Sequence, residues 1–414
     1  MAPAEVDRGG AALARLIRDE WPRVLASLIR VTGSLQLAED AVQDAVVRAL
    51  DVWARDGVPV EPRAWLTVAA RRRAIDLIRR EAHRPDKEHE ALSLLEPADG
   101  PVSGPGEVRD DLLRLLFTCC HPALPTEAQT ALALRTICGL TTAEVASALL
   151  VGEATMAKRL VRAKRKIAVA GIPYRTPLGP ELPDRLQGVL TTIYLLFNEG
   201  YHATSGDSAL RRQLSAEAIR LASLLRELLP DQVPVVGLEA LLRLHEARSA
   251  ARLDPRGDPV RLADQDRTLW DQTEIRSGLA LLGGALRSSV DRPDPYVVQA
   301  AIAACHDLAP TWQATNWEAI VSWYDVLLSV NDTPVVRLNR AVAIAELHGA
   351  EDGLAELDRI DGLTDYLPLS AARAELLARV GRSDEARTAF SEALRLPGND
   401  AAKKELSRRL SELI

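Results

Sequence analysis

The stretch LTTAEVASALLVGEATMAKRLVRAKRKI, residues 140–167, decides the fold of the region around it. Thr141 and Glu144 have the T-x-x-E spacing of a capping box, which predicts the start of a helix. A short turn over residues 150–152 ends in a glycine, and a second helix is predicted to begin near Glu153. Apolar residues form one stripe along this second helix: Met156, Leu160, Ala163 and Ile167. Together these features predict a helix-turn-helix.

The opposite face of the second helix is cationic, because residues 154–170 include six basic side chains and no acidic one. Such a helix fits a major groove, where its first turns reach base edges and its later cations contact phosphates. A basic helix face that is merely solvated is the alternative. The predicted DNA-binding residues are Glu153, Thr155, Lys158, Arg159, Arg162 and Lys166, with Lys164 and Arg165 as further phosphate anchors.

A second basic element lies at residues 62–84, PRAWLTVAARRRAIDLIRREAHR, with seven arginines against two acidic residues. Arginine suits phosphate contact and base stacking because its guanidinium is planar and forked. Trp65 is favoured as a core anchor over a base-stacking platform. The predicted DNA-binding residues here are Arg63, Trp65, Arg71, Arg72, Arg73, Arg79 and Arg80.

Upstream, LAEDAVQDAVVRALDVWA at residues 37–54 is an amphipathic helix that exposes Asp40, Gln43 and Asp44. With these motifs in this order, the chain resembles a bacterial sigma-70 family factor of the extracytoplasmic-function (ECF) type over residues 10–170. The resemblance implies that Asp40, Gln43, Asp44 and Arg48 bind the β′ clamp helices of RNA polymerase. It also implies that residues 62–80 recognise and melt the minus-ten element, and that residues 124–167 read the minus-thirty-five element and dock on the β flap.

One position departs from that family. Arg72 stands within Ala70-Arg71-Arg72-Arg73-Ala74-Ile75-Asp76 where many members have the asparagine that helps to hold a flipped base. The resemblance therefore does not predict the base preferred there. The chain is also similar to the subgroup with a long, tetratricopeptide (TPR)-like helical extension, on segments such as LLFTCCHPAL and YLLFNEGY.

The charge of the chain is unevenly distributed. The 414 residues carry a net charge of −7, yet residues 1–170 have 24 Lys+Arg against 23 Asp+Glu. No apolar run approaches the roughly 18 residues that cross a bilayer, and the N-terminal MAPAEVDRGG predicts no secretory signal. The four cysteines form no CxxC pair, which favours a reducing cytoplasm. Nucleotide-binding and hydrolase motifs such as GxxxxGK[ST] and GxSxG are absent from the sequence.

Helical periodicity without sustained alternation predicts an all-α chain. The predicted domains are a region-2 helical domain (1–86), a flexible linker (87–107), a region-4 helix-turn-helix domain (108–172) and a TPR-like extension (173–414). About eleven helices are expected from Pro183 onward. The best repeat unit comes close to the small–small–aromatic–small–proline spacing of a TPR hairpin, with the proline one residue earlier than that pattern requires: Gly381, Ala386, Phe390, Ala393 and Pro397.

Three clusters of polar or aromatic residues suggest other chemistry. Adjacent Cys119, Cys120 and His121 are interpreted as buried rather than as metal ligands, because neighbours on a helix point about 100° apart. A structural role is also favoured for Asn198, Glu199, Tyr201 and His202, and for Asp264, Gln265 and Asp266. Core filling is the default for Trp312, Trp317 and Trp323.

The sequence thus predicts a cytoplasmic promoter-specificity subunit that is not an enzyme and needs no cofactor or metal. Its partners would be core polymerase, promoter DNA and a protein or small molecule at the extension. One alternative is a TPR-type sensing or scaffold regulator with a helix-turn-helix that works without polymerase. Another is a helical hydrolase or metal enzyme that uses Glu199, His202 and Asp264.

Overall fold

The computed structural model describes most of the chain. The described ranges are residues 20–81, 105–149, 151–177, 179–201, 208–255, 257–289, 293–363, 365–396 and 400–413. The described residues contain one isolated antiparallel bridge, between Leu253 and Pro259, and no strand. The predicted all-α class is confirmed.

Eighteen α-helices are present within those ranges. Helix α1 covers residues 20–32. The others are α2 (Leu35–Asp56), α3 (Pro62–Glu81), α4 (Pro105–Cys119), α5 (Thr126–Thr136), α6 (Thr142–Ala148), α7 (Glu153–Val169), α8 (Leu182–Tyr201), α9 (Ser208–Leu228), α10 (Val233–Glu246), α11 (Gln272–Ser288), α12 (Pro295–Asp307), α13 (Trp317–Val330), α14 (Pro334–Leu347), α15 (Ala350–Leu357), α16 (Leu367–Arg379), α17 (Ser383–Arg395) and α18 (Asp400–Ser411).

The chain divides into two compact units, Met1–Leu195 and Leu196–Ile414. Eleven of the described helices, α8 to α18, follow residue 181, as the sequence predicted. Helix α4 begins at Pro105, two residues before the predicted end of the linker at residue 107, and residues 82–104 lie outside the described residues. The three boundaries between the four predicted segments stay predictions.

Local signals explain how the helices of the first unit begin and end. Gly33 adopts a left-handed φ of 64° and donates its N–H to the Ile29 carbonyl at 2.8 Å, which ends α1. The Ser34 hydroxyl then accepts from the Leu37 N–H at 3.3 Å and caps α2. Two helices of the region that resembles sigma region 2 are therefore joined by only two residues.

The first half of α8 packs on the region that resembles sigma region 4. A Cβ at Gly188 would lie 2.9 Å from Gln129 Oε1 and 3.1 Å from the Cys120 carbonyl, so glycine allows this close approach without displacing either neighbour. The Cys120 thiol lies 3.3 Å from Thr192 Oγ1, and the Arg185 guanidinium donates to the Phe117 carbonyl. The helix that opens the extension thus also completes the core of the unit before it.

Glycines also set the packing of the second unit. A Cβ at Gly237 of α10 would lie 2.6 Å from Val297 Cγ2 of α12, and one at Gly278 of α11 would lie 2.7 Å from Leu244 Cγ of α10. Helix α10 is therefore the centre on which α11 and α12 pack closely. Further along, α14 to α18 share one apolar core around Phe390.

Ala386, Phe390 and Ala393 are each no more than 1% exposed, as the predicted hairpin packing requires. Gly381 has a φ of 77° in the turn between α16 and α17. Pro397 lies outside the described residues. The hairpin itself is confirmed, and its assignment as a TPR unit stays a prediction. Within the described ranges, no helix is both long and apolar enough to span a membrane.

Candidate nucleic-acid and polymerase interfaces

The predicted helix-turn-helix is present as α6, a turn and α7. Its capping box is complete: the Thr141 N–H donates to Glu144 Oε2 at 2.7 Å, and the Glu144 N–H donates to Thr141 Oγ1 at 3.2 Å. Helix α7 then begins after Gly152. Its predicted apolar stripe is buried, namely Met156, Leu160, Ala163 and Ile167. One face of α7 is therefore fixed against the core of its own unit.

The opposite face of α7 is open to solvent. Arg159 is half-buried on the edge of this face. Five of the six predicted DNA-binding residues are exposed: Glu153, Thr155, Lys158, Arg162 and Lys166. A rigid helix with an accessible cationic face suits a major groove, because its buried seam fixes the angle at which the face is presented. The contacts to DNA stay predictions.

Lys164 differs from the other cations of α7. Its Nζ lies 2.5 Å from Glu39 Oε2, and the Lys164 side chain is only 16% exposed. The sequence placed Lys164 among the phosphate anchors, whereas in this conformation it is paired with a buried carboxylate. Sequence reasoning missed Glu39 because it adjoins Asp40 in the predicted docking helix and no local pattern connects it with residue 164.

The second basic element forms α3, and its arginines differ in exposure. Arg72 and Arg79 are exposed, whereas Arg63, Arg71 and Arg73 are half-buried. The side chain of Arg80 lies outside what the structure describes. Arg72, the residue at the position of the family asparagine, is therefore accessible to a DNA base or phosphate.

Trp65 packs edge-to-face on Trp53, with ring centroids 5.3 Å apart and planes at 66°. Trp53 is 3% exposed, while Trp65 is half-buried. An edge-to-face pair of this kind fixes α3 against α2. The geometry favours the core-anchor interpretation of Trp65, and its predicted contact with DNA stays untested.

The predicted docking residues lie on one exposed face of α2. Asp40, Gln43, Asp44 and Arg48 are all exposed, at helical spacings of three and four. Asp44 accepts a hydrogen bond from Arg73 Nε of α3. The structure thus brings together a residue predicted to bind polymerase and one predicted to bind DNA.

Two apolar residues on the same helix were missed. Val47 is 61% exposed and Leu50 is 41% exposed, beside the acidic residues. Exposed aliphatic side chains within a polar surface are typical of protein–protein contacts. The signal in the sequence was a run, Ala45 to Leu50, that is too apolar for a two-sided amphipathic helix.

Family profiles match three parts of the chain. The profile of Sigma-70 region 2 matches residues 16–84, that of Sigma-70 region 4 matches residues 114–167, and DUF6596, a family of unknown function, matches residues 185–286. The chain belongs to the sigma-70 family. The region-2 match includes α1 to α3, and the region-4 match runs from within α4 to near the end of α7.

Individual relatives of this sigma-70 protein cover different shares of it. The uncharacterized protein R00370 of Rhizobium meliloti is 42% identical over 397 residues, which are 95% of this chain and 93% of that protein. The ECF RNA polymerase sigma factor SigL of Mycobacterium tuberculosis is 32% identical over 160 residues, 38% of this chain and 88% of SigL. No solved structure matches the chain.

The adjacent cysteines of the sigma-70 protein are buried. The Cys119 thiol lies 3.2 Å from Thr136 Oγ1, and burial raises the pKa of the Cys120 thiol to about 12. A thiol that stays protonated at neutral pH is a poor metal ligand and a poor nucleophile. Among the described residues, no group of His, Cys, Asp and Glu is arranged to hold a metal ion.

Of the three residues of the alternative enzyme site, only the Asp264 side chain is described. His202 and the side chain of Glu199 lie outside the described residues. Asp264 is exposed and pairs with Arg261 at 2.8 Å. The Asp266 carboxylate accepts from the Thr268 hydroxyl at 2.6 Å and from the Thr268 N–H at 2.9 Å at the start of a short helix, and these hydrogen bonds lower the pKa of Asp266.

The extension contains buried charged residues that were not predicted from the sequence. Glu239 is fully buried and accepts hydrogen bonds from Ser223, Arg226 and Arg243 at 2.6–2.9 Å. A second buried pair joins Arg248 Nε and Asp307 Oδ1 at 3.3 Å. Glu239 and Arg243 are four residues apart on one helix, as in ion pairs on helix surfaces. Their spacing in the sequence therefore does not show that the Glu239 carboxylate is buried.

Aromatic side chains of the extension form two groups. The Arg252 guanidinium lies 3.6 Å above the Tyr201 ring, and Tyr201 is 5.4 Å from the His245 ring. Trp312 and Trp317 pack edge-to-face at 4.7 Å. Trp323 is half-buried against the apolar core of α12 to α14. These contacts agree with the structural role favoured from the sequence.

Proposed function

We propose that this chain is an RNA polymerase sigma factor of the ECF type, which directs core polymerase to specific promoters and starts transcription. The observation that carries the proposal is the exposed cationic face of α7, held by a buried apolar stripe in a sigma-70 region-4 domain. The ECF assignment is supported by the 160-residue likeness to SigL, which spans most of that protein. A chain with this role acts in the bacterial cytoplasm, without a cofactor and without catalysis of its own.

Two surfaces would read the promoter. Helix α7 would enter the major groove of the minus-thirty-five element, with Thr155, Lys158 and Arg159 near base edges and Arg162 and Lys166 on phosphates. Helix α3 would bind and open the minus-ten element. Arg72 is accessible there, and its planar guanidinium can stack on an unpaired base, a contact that an asparagine does not make.

A third surface would bind the core enzyme. Asp40 and Gln43 on α2 form its polar part, and the exposed Val47 and Leu50 form its apolar part. Asp44 contributes in addition by holding Arg73 of α3. Because polymerase docking and minus-ten contact share this ion pair, we propose that core binding also orients the DNA-binding arginines.

The extension, α9 to α18, is proposed as a TPR-like helical domain that binds a protein or small-molecule partner and regulates the sigma factor. Helix hairpins that pack through small residues support this role, as at Gly353, where an added Cβ would lie 2.5 Å from Ala345 Cβ. A chain truncated after Tyr201 tests the direction of the effect, since its transcription rises if the extension inhibits and falls if it is required.

The test of the proposal is reconstitution with bacterial core polymerase. The wild-type chain should co-purify with core and produce promoter-dependent transcripts, which sequencing then identifies. The combined variant Asp40→Arg, Gln43→Ala should lose both properties while it keeps its melting temperature. Asp44 is left intact because of its pair with Arg73.

Asp231→Arg is the matched control, because it reverses one exposed acidic charge as Asp40→Arg does and lies outside α2. If the wild-type chain binds DNA but neither binds core nor supports transcription, the sigma proposal fails. A helix-turn-helix regulator that works without polymerase would then explain the result.

A further inference from the structure

A group of buried polar side chains in the extension lies around Asp307, the last residue of α12. The Asp307 side chain is 0% exposed, and its Oδ1 lies 3.3 Å from Arg248 Nε. These two atoms are close enough for an ion pair but are not aligned for a hydrogen bond, and neither carboxylate oxygen of Asp307 accepts one from a described residue. Buried polar atoms in folded proteins are nearly always hydrogen-bonded. This carboxylate is therefore available to a further donor.

Two N–H donors lie near the same helix end. Arg267 donates through Nη1 to the His306 and Ala309 carbonyls, at 2.6 Å each. The Trp270 ring lies 4.5 Å from the Arg267 guanidinium and 6.0 Å from that of Arg248. Arg267 Nη2 and Trp270 Nε1 are buried without an acceptor among the described residues. Because the carbonyl bonds fix the guanidinium, these donors are held in place for an acceptor that reaches them.

The charges of this group do not balance. Above about pH 6 the Asp307 carboxylate is ionised, and it interacts with two guanidinium groups, those of Arg248 and Arg267. Burial, with the same two arginines nearby, lowers the pKa of His306 to about 3, so its imidazole is neutral at neutral pH. One positive charge is therefore in excess. Because a buried charge is costly without a counterion, the group favours an anion over a neutral molecule such as water.

Apolar side chains border the charged group. Leu308 directly follows the end of α12 and is 65% exposed, and Leu269 lies two residues after Arg267 and is 53% exposed. The half-buried Trp312 packs on the His306 ring, with centroids 6.1 Å apart. Binding sites for small molecules combine apolar walls with a few fixed polar groups. A cationic interior with an exposed apolar border suits a molecule whose anionic group points inward and whose apolar body stays near the surface.

We propose that Arg267, Trp270 and Asp307 form a binding site for a small carboxylic acid that has an apolar body and a hydroxyl group close to the carboxylate. The carboxylate would accept from Arg267 Nη2 and Trp270 Nε1, and the hydroxyl would donate to Asp307. Leu308 and Trp312 would contact the apolar body. A hydroxy acid of this kind carries the one negative charge that balances the group.

The site deepens the regulatory role proposed for the extension and rests on it, because it names the class of ligand that the extension would sense. The donor atoms are buried in this conformation, so the acid would enter by displacement of the turn between α12 and α13, residues 308–316. A ligand that binds one conformation of this turn more tightly shifts the population toward that conformation.

Calorimetric titration of the full chain at neutral pH tests the site. Phenyllactate carries the carboxylate, the hydroxyl and an aromatic body, and it should bind at one site per chain. Phenylpropanoate lacks the hydroxyl and should bind about tenfold more weakly. Phenylpropanediol lacks the carboxylate and should bind about a hundredfold more weakly, because the excess positive charge stays uncompensated.

Trp270→Phe tests the assignment of residues, because it keeps an aromatic ring and removes the Nε1 donor. Phenyllactate should bind this variant about tenfold more weakly. The matched control is Trp323→Phe, at a tryptophan that packs on the apolar core of α12 to α14, and it should bind phenyllactate like the wild-type chain. Thermal melts establish that both variants fold.

A second pair of variants keeps the test decisive if Trp270→Phe does not fold. Leu308 is exposed, so Leu308→Asp and Leu308→Asn should both fold, and they differ only in one negative charge at the border of the site. That charge repels an acid. Leu308→Asp should therefore bind phenyllactate at least about fivefold more weakly than Leu308→Asn.

Three results would overturn the site. They are no binding of phenyllactate to the wild-type chain, equally tight binding of the diol, and a folded Trp270→Phe or Leu308→Asp variant that binds phenyllactate like its control. Inorganic phosphate bound as tightly as phenyllactate would overturn the assignment to a carboxylic acid, because the site would then accept any small anion.

The two proposals fail in different ways. If phenyllactate binds as expected but the wild-type chain does not bind core polymerase, the sigma proposal fails and the site belongs to a ligand-sensing DNA-binding protein. If the wild-type chain supports transcription and phenyllactate does not bind, the sigma proposal stands and the site is wrong.

Discussion

Two basic residues of α7, Lys158 and Arg162, have the opposite environment to two basic residues of the extension, Arg243 and Arg248. On α7, Lys158 and Arg162 face solvent, and none of the ion pairs among the described residues includes either one. In the extension, Arg243 bonds to buried Glu239, and Arg248 is itself buried beside Asp307. Lys158 and Arg162 are therefore accessible to a polyanion such as DNA, whereas Arg243 and Arg248 are paired with buried acidic side chains. A count of arginines does not distinguish these roles, whereas the position of the acids does.

The largest expected effect is on the stability of the first compact unit when α8 is removed. A chain cut after Tyr174 loses the buried Leu186 and Leu190 of α8, whereas one cut after Tyr201 keeps them. Each buried leucine contributes about 1.5–3 kcal/mol, so the shorter chain should be less stable by about 3–6 kcal/mol. Thermal melts and hydrogen exchange of α4 to α7 measure this difference. Equal stability of the two truncated chains would show that α8 belongs only to the extension.

The next effect tests the internal role of charge in the extension. Glu239→Gln removes the carboxylate that Arg226 and Arg243 share. Both guanidinium groups reach solvent and Arg243 keeps Glu274, so the loss of stability should be about 1–3 kcal/mol. Urea denaturation measures the loss, and DNA binding by α7 should not change. Asp231→Asn, at an exposed acid nearby, should alter stability by less than about 0.5 kcal/mol. If Glu239→Gln changed the free energy of unfolding no more than Asp231→Asn, the hydrogen bonds from Arg226 and Arg243 to Glu239 would not contribute to stability.

Two substitutions on α7 test the opposite role. Arg159→Ala should cost about 1–3 kcal/mol at the preferred promoter and relax discrimination there, since base contacts carry specificity. Arg162→Ala should weaken all duplexes alike and reduce the salt slope by about 1. Binding titrations across salt concentrations measure both. Arg395→Ala, at an exposed cation of α17, serves as the control. If the control matches Arg162→Ala, the effect is one of net charge alone.

The smallest effect concerns pH. Burial raises the pKa of Asp307 to about 6, and burial, with Arg248 and Arg267 nearby, lowers the pKa of His306 to about 3. Between pH 4 and 6 the folded state keeps a proton on Asp307 that the unfolded state releases, so this group lowers stability as pH rises. His306 acts in the opposite direction, because only the unfolded state protonates it there. The two slopes nearly cancel in the wild-type protein.

Asp307→Asn removes only the first of these slopes. Stability of the variant should therefore climb with pH between 4 and 6 by up to about 1.4 kcal/mol per pH unit more than in the wild-type protein. Urea denaturation at half-unit pH steps measures the slope. A variant that keeps the wild-type pH dependence would show that Asp307 does not hold a proton in the folded state.

Periodic patterns made the sigma domains predictable. The capping box at Thr141 and Glu144 and the apolar stripe of α7 are local, since each depends on residues within a few helical turns. The exposed acidic residues of α2 and the helices of the extension could also be predicted, because they too follow from the helical spacing of apolar and polar residues. These features require no knowledge of what packs against them.

Contacts between distant segments were not predictable. In the sequence Lys164 resembles its basic neighbours on α7, whereas in the structure it is paired with Glu39, 125 residues earlier. Likewise, α8 looked like the start of the extension, although Gly188 lets it pack on α4 and α5. A single sequence does not show which charged residues form ion pairs between distant segments, because the spacing of such pairs in the sequence is not periodic.

The sequence by itself determined the helices, the order of the sigma motifs and the face of α7 that is offered to DNA, because these depend on short-range periodicity and on caps. Only the tertiary structure decided which charges remain available. Burial and the arrival of an opposite charge are properties of neighbours in space, and they separate Arg162, open to solvent, from Lys164, held by Glu39.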